Sequence, residues 1–109
     1  MELTEKKCVP CEGGVEKFTP DQIKEYKTEI DPHWKVEDNY KISRVFLFDD
    51  FAQAMAFANK VGDLAEEEGH HPDLHISWGR AEVELYTHAI GGLSENDFIM
   101  AAKIDELAL

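Results

Sequence analysis

Between positions 74 and 86 the side chains alternate with a period of two, a pattern an antiparallel hairpin accommodates and a helix does not. Leu74, Ile76 and Trp78 alternate with His75 and Ser77; after Gly79-Arg80, Ala81, Val83 and Leu85 alternate with Glu82, Glu84 and Tyr86. Successive residues of a strand face opposite sides, so this pattern gives each strand one apolar and one polar face. Glycine in the first position of a two-residue loop suits a type II′ turn. The register that follows pairs Trp78 with Ala81, Ile76 with Val83 and Leu74 with Leu85, with all six on one apolar face. Extended to its ends, that ladder sets His71 opposite His88.

The flanking segments supply further elements. Thr19 is a good N-cap, with Pro20 at the first helical position and Gln22 three residues after the cap. Ile23, Tyr26, Lys27 and Ile30 follow on one face before Asp31-Pro32. Residues 34–36 and 41–48 read as two strands around the turn residues Glu37-Asp38-Asn39. Asp49 or Asp50 can cap a long helix whose positions Phe51, Ala54, Met55, Ala58, Val61, Leu64 and Ala65 keep the helical period; Gly69 and Pro72 stop it. Ser94 caps a last helix carrying Phe98, Ala101, Ala102 and Asp105. The order α-β-β-α-β-β-α predicts an α+β domain, a four-stranded antiparallel sheet covered on one face by helices. That domain is expected over 18–109. The turn-rich stretch Cys8-Val9-Pro10-Cys11-Glu12-Gly13-Gly14 puts 1–17 outside the core as an N-terminal arm.

Composition excludes several function classes. A chain of 109 residues suits one domain, and 23 acidic against 11 basic residues gives a net charge of −12. No surplus of Lys or Arg exists to meet nucleic-acid phosphates or an anionic membrane. No apolar run approaches the roughly 20 residues of a spanning helix. The polar N-terminus has no signal-peptide run, so a cytoplasmic protein is expected. Cys8-x-x-Cys11 is half of a zinc knuckle without a second pair, and it lacks the flanking strand and helix of a thioredoxin-like site. Gly-x-Ser-x-Gly and phosphate-cradling glycine loops are absent.

The histidines are what stand out. Of five, His70, His71, His75 and His88 lie within one short stretch, and only His33 is elsewhere. Imidazoles are the side chains best matched to proton transfer near neutral pH. Each residue also has a plainer reading. His70 and His71 suit a helix C-terminus as cations, Glu66 sits one turn before His70 as an i,i+4 partner, and Asp97 occupies a capping-box position after Ser94. His75 and His33 read as surface residues. Zinc is disfavoured because strand spacing puts His71 and His75 about 13 Å apart, leaving His70, His71 and His88 as a crowded set.

Taken together the motif resembles the pterin-4a-carbinolamine dehydratases. The family pattern runs acidic residue, His-His-Pro, an aromatic residue, His, then Asp. Here it reads Glu66, His70-His71-Pro72, Trp78, Thr87-His88, and Asp97 after Gly91-Gly92-Leu93-Ser94. The resemblance spans roughly 18–107, includes Trp34 and the helix from Phe51, and extends to the Cys8-x-x-Cys11-x-Gly-Gly arm of microbial and plant members. It implies that His70 and His88 transfer protons, that His71 holds the pterin ring, and that Asp97 orients or polarises a histidine. Glu66 would border a pocket lined by Gly69, Tyr86, Thr87, His88 and Ala89. Tyr86 departs from the small polar residue common at its place.

The implied reaction is dehydration of a 4a-hydroxytetrahydropterin, recycling tetrahydrobiopterin for aromatic amino acid hydroxylation, with no metal or cofactor. The resemblance also implies homodimers through sheet edges or homotetramers through helices. Two alternatives come with it: a role in molybdopterin cofactor metabolism, and a protein-binding module, since animal relatives are dimerisation partners of a homeodomain transcription factor.

Overall fold

Local chemistry starts each helix where the sequence expects it. Before α1 (Pro20–Lys27), Thr19 Oγ1 accepts the Gln22 N–H at 3.2 Å, and Gln22 Oε1 accepts the Thr19 N–H at 2.8 Å. This reciprocal pair satisfies two donors that a helix end otherwise leaves unpaired. Asp50 caps α2 (Phe51–Glu68) by accepting the Gln53 N–H at 2.8 Å, and Ser94 caps α3 (Glu95–Leu107). Between them run β1 (Lys35–Glu37), β2 (Lys41–Leu47), β3 (Asp73–Ser77) and β4 (Arg80–Leu85), with short 3-10 turns at Leu3–Glu5 and His88–Ile90. The computed structural model describes residues 2–9 and 16–108; Cys11 lies outside them.

The four strands form one antiparallel sheet in the order β1-β2-β4-β3. Ile42, Phe46, Ala81, Val83 and Leu85 are buried on one face, beneath α2 and α3. Ser43, Val45, Leu47, Glu82 and Glu84 alternate onto the other, which helices leave open. One wet and one covered face is the usual arrangement for such a sheet. The turn joining β1 to β2 puts Asp38 and Asn39 at φ +54° and +52°, with the Tyr40 N–H on the Glu37 carbonyl at 2.9 Å. That is a type I′ geometry, built from residues that tolerate positive φ.

Three expectations need correcting. In the β3–β4 hairpin, Ser77 pairs with Arg80, Ile76 with Ala81 and Leu74 with Val83, two residues away from the expected register. The loop is therefore Trp78-Gly79, and the positive φ of +70° falls on its second residue, where type II turns need it. Gly79 also presses against β2: its carbonyl accepts the Phe48 N–H at 2.8 Å, and a Cβ there would lie 2.9 Å from the Phe48 oxygen. Trp78, expected on the apolar face, is 72% exposed at the turn. The ladder ends at the pair Asp73–Glu84, so His71 does not pair with His88.

On α2, Phe51 is 47% exposed and Met55 is also exposed, while Phe57 packs between Phe46 and Phe48. The helix turns Phe57 toward the aromatic cluster and Phe51 and Met55 outward, with Ala54 buried between them in sequence. The N-terminal segment is not wholly outside the core either. Leu3 is buried in the cluster that includes Phe98, Ile99 and Met100.

A polar anchor ties the α1–β1 connection to α3. Asp105 Oδ1 accepts the Trp34 Nε1–H and an Arg44 N–H, both at 2.7 Å, and Oδ2 accepts the Asp31 N–H at 3.0 Å. Trp34 is almost fully buried, so its indole N–H has no water to turn to. Asp105→Ala is expected to cost about 2–4 kcal/mol, because it strands several donors at once; Asp105→Asn, which keeps one carbonyl acceptor, costs less. Urea unfolding measures both, and a loss below about 1 kcal/mol for the alanine variant contradicts the anchor.

Candidate functional site

The end of α2 launches the site. Gly69 closes the helix at φ +68°, its N–H on the Ala65 carbonyl at 2.9 Å. That left-handed cap turns the chain away from the helix axis. His70 therefore reaches α3, with Nε2 2.7 Å from Asp97 Oδ1. Glu66, expected beside His70, instead meets His71 Nε2, and both of those side chains are exposed. Such a surface pair contributes little to stability.

Asp97 is completely buried. Its Oδ2 accepts the Thr87 hydroxyl at 2.8 Å and the Ser94 N–H at 3.0 Å. Thr87 has one hydroxyl proton, which goes to Asp97, so at their 2.7 Å contact the Ser94 hydroxyl is the donor. Asp97 thus meets two partners at once: one oxygen serves the helix end, the other contacts the imidazole. Without these donors a carboxylate so deep would be very costly. An ionised carboxylate only accepts, so His70 presents Nε2–H to it. That fixes the tautomer and leaves Nδ1 as the basic nitrogen.

His88 rides on a loop that the backbone itself clamps. The Thr87 N–H donates to the Gly92 carbonyl at 2.8 Å, and the 3-10 turn His88–Ile90 lies between them. A cleft of about 240 Å³ opens here, lined by Gly69, His70, His71, Tyr86, Thr87, His88 and Ala89, with Val9 from the N-terminal segment. The structure thus gathers His70, His71 and His88 around one space, with Asp97 behind His70 and Glu66 outside, on His71. Tyr86 is shared with a neighbouring cleft: its ring stacks on Tyr40 at 5.3 Å, and the Asp73 charge, with partial burial, raises its phenol above the ordinary range. His75 is on the open face, bonded to Glu84, and His33 is bonded to Asp31. Among the described residues no three His, Cys, Asp or Glu side chains converge as metal ligands would. Three imidazoles, one backed by a buried carboxylate, can donate and accept protons around a small flat molecule.

Comparison with known proteins shows the family. The sequence model described as pterin 4 alpha carbinolamine dehydratase matches residues 16–107. The chain belongs to the pterin-4a-carbinolamine dehydratase family. A relative from Methylococcus capsulatus, named "Putative pterin-4-alpha-carbinolamine dehydratase", is 50% identical over 97% of this chain and 93% of its own. One of the same name from Alkaliphilus metalliredigens is 46% identical over 95% and 94%. Among solved structures, a transcriptional coactivator/pterin dehydratase from Brucella melitensis superposes with a TM-score of 0.80, at 32% identity, over 86% of this chain and all of that one. A pterin dehydratase-like protein described as a RuBisCO assembly factor in the alpha-carboxysome gives 0.59 at 26% identity, covering 69% and 88%. No described helix is long and apolar enough to cross a membrane.

Sequence reasoning missed the residues that bring the N-terminal segment to the cleft. Glu68 accepts the Cys8 N–H at 2.9 Å and the Lys103 ammonium at 2.8 Å. Asn96 Oδ1 accepts the Val9 N–H at 3.0 Å, while its Nδ2 donates to the Val9 carbonyl at 2.6 Å. A signal for Glu68 was available: a carboxylate in the last turn of a helix opposes the macrodipole and calls for a partner. Burial pushes the Glu68 carboxyl up, but the hydrogen bonds from Lys103 and the Cys8 N–H outweigh it, and the net shift is downward. Burial, with the Glu68 charge beside it, pushes the Cys8 thiol up to about 12. In a Cys11→Ser variant, Cys8 should react with iodoacetamide at least about tenfold more slowly than free cysteine at mildly alkaline pH. An equal rate contradicts a seated Cys8.

Proposed function

We propose that this chain is a 4a-hydroxytetrahydropterin dehydratase, converting the pterin carbinolamine to quinonoid dihydropterin and water. The observation that carries the reading is His70, fixed by the buried Asp97 on one wall of a cleft that His71 and His88 share. The reaction breaks the C4a–O bond, with the electron pair leaving on oxygen. One proton goes to the departing hydroxyl, a second leaves a ring nitrogen, and a C=N bond forms. Two imidazoles are enough for both transfers, so no metal or cofactor is required.

His70 and His88 form the proton-transferring pair. Asp97 stabilises the imidazolium of His70 when Nδ1 takes a proton, and its fixed hydrogen bond keeps that nitrogen aimed at the cleft. His71, tethered to exposed Glu66, mainly holds the pterin ring, and Gly69, Tyr86, Thr87 and Ala89 complete the wall. The physiological role is recycling tetrahydrobiopterin in the cytoplasm for aromatic amino acid hydroxylation. General acid–base catalysis typically supplies about 10²–10⁴-fold, enough for a reaction that already runs spontaneously.

The test generates the 4a-hydroxytetrahydropterin in situ and follows the quinonoid product by absorbance. His70→Ala and His88→Ala should each lower kcat by about 10²–10⁴-fold, and His71→Ala should mainly raise KM. No acceleration by folded wild-type protein contradicts the function. Equal losses of kcat for all three contradict the division of roles.

Assembly with further copies is part of the same proposal. Among the described residues β3 pairs with β4 alone, leaving its other edge unpaired, and Leu47, Trp78 and Phe51 are exposed. An open strand edge and uncovered apolar side chains favour association. Light scattering should give a mass of at least two chains. A monomer at micromolar concentration contradicts this.

A further inference from the structure

The N-terminal segment is far from the histidine motif in sequence, yet it ends on the cleft. Val9 supplies the one branched aliphatic side chain among the described lining residues. Its backbone is gripped on both polar groups by Asn96, whose side chain stands in for the edge of a strand. Asn96 is 3% exposed and directly precedes Asp97 on α3. The same helix start therefore holds the wall of the cleft with one residue and the imidazole of His70 with the next. Two further contacts seat the segment: the Cys8 N–H on Glu68, and the Cys8 thiol donating to the Asn96 carbonyl at 3.6 Å. Upstream, Lys6 pairs with Glu95 at 2.9 Å, and Leu3 is buried. A segment needing only to be tethered has its anchor in Leu3. The backbone grip on Val9 fixes a side chain that is itself 64% exposed, and burial gives that side chain no reason to be fixed.

We propose that Val9, held by Asn96, is a substrate-positioning residue: its isopropyl group forms the apolar wall against which a flat heterocycle rests while the imidazoles opposite exchange protons with it. This deepens the dehydratase reading and rests on it. The other lining groups are imidazoles, a phenol, a hydroxyl and small residues, which orient a polar ring edge but offer its face little apolar contact. Apolar walls with a few placed polar groups are how such clefts bind flat ligands. Asn96 acts through Val9 and does not touch the substrate. It removes the need to order the segment at the moment of binding.

The readout that separates this role from a merely structural one is a split between KM and kcat. Val9→Ala, an exposed position that leaves the fold intact, is expected to raise KM about threefold to fivefold, less than the roughly tenfold or more that a methylene contributes in an enclosed pocket, because this cleft is partly open. Asn96→Ala is expected to raise it about tenfold by releasing the segment. For both variants kcat should stay within about twofold of wild type, because a uniformly lost binding contact leaves the chemical step unchanged. The dissociation constant of 7,8-dihydrobiopterin, a pterin lacking the 4a-hydroxyl, should rise by the same factors in calorimetry, which needs no turnover. Wild-type protein that binds this probe and dehydrates the carbinolamine, beside a Val9→Ala variant with unchanged KM and unchanged affinity, overturns the inference alone. A drop in kcat at unchanged KM also overturns it. Wild-type protein that neither binds the probe nor accelerates dehydration overturns the underlying function, and this inference with it.

Discussion

A buried carboxylate hydrogen-bonded through both of its oxygens joins the fold to the site. Asp97 receives His70 from the turn after α2, Thr87 from the end of β4, and the Ser94 N–H from the start of α3. Three segments distant in sequence must converge before that charge is tolerable at full burial, so the interaction specifies their arrangement as much as it stabilises it. The covered face of the sheet supplies the apolar packing, and Asp97 sets where α3 begins against it. Any shift of α3 by one residue would strand the carboxylate in the core. The geometry of the imidazole is thereby inherited from the fold.

Around that point the molecule separates what must be rigid from what can stay open. Asp105, two turns further along α3, ties Trp34, Arg44 and the Asp31 backbone together, so the helix is fixed at both ends by carboxylates. His70 sits between elements held in this way. His71 and His88 are exposed, on short connections after α2 and β4. In the proposed reaction, a rigidly held His70 facing the more exposed His71 and His88 suits a substrate that enters and leaves on every turnover.

What could be read from the sequence follows the range of each interaction. Caps at Thr19, Asp50 and Ser94, and the left-handed stop at Gly69, depend on residues within a turn of one another, and they are legible as such. Apart from Trp78, which the shift moves into the turn, the alternation from Leu74 to Leu85 gives the faces of the hairpin correctly, since a slip of two residues preserves which side chains point inward. It cannot give the register. That is set by Gly79, whose positive φ and closeness to Phe48 favour the Trp78-Gly79 loop, and Phe48 lies 31 positions upstream. The same limit explains Phe51 and Phe57: helical periodicity allows either as the inward face, and only the aromatic cluster on β2 decides between them. The His70–Asp97 contact spans 27 positions. No spacing rule predicts it; the family resemblance supplied the association, and the structure supplies its atoms. Val9 and Asn96 carried no pattern at all, because a backbone clamp depends on where two remote segments meet.

The central claim is that Asp97 fixes the proton-carrying state of His70, and the most direct test is heteronuclear NMR of the imidazole nitrogens in the wild-type protein. In its neutral form His70 should be a single tautomer, with the proton on Nε2 facing Asp97 and Nδ1 bare toward the cleft. A proton on Nδ1, or the mixture of tautomers typical of a free imidazole, would contradict the account.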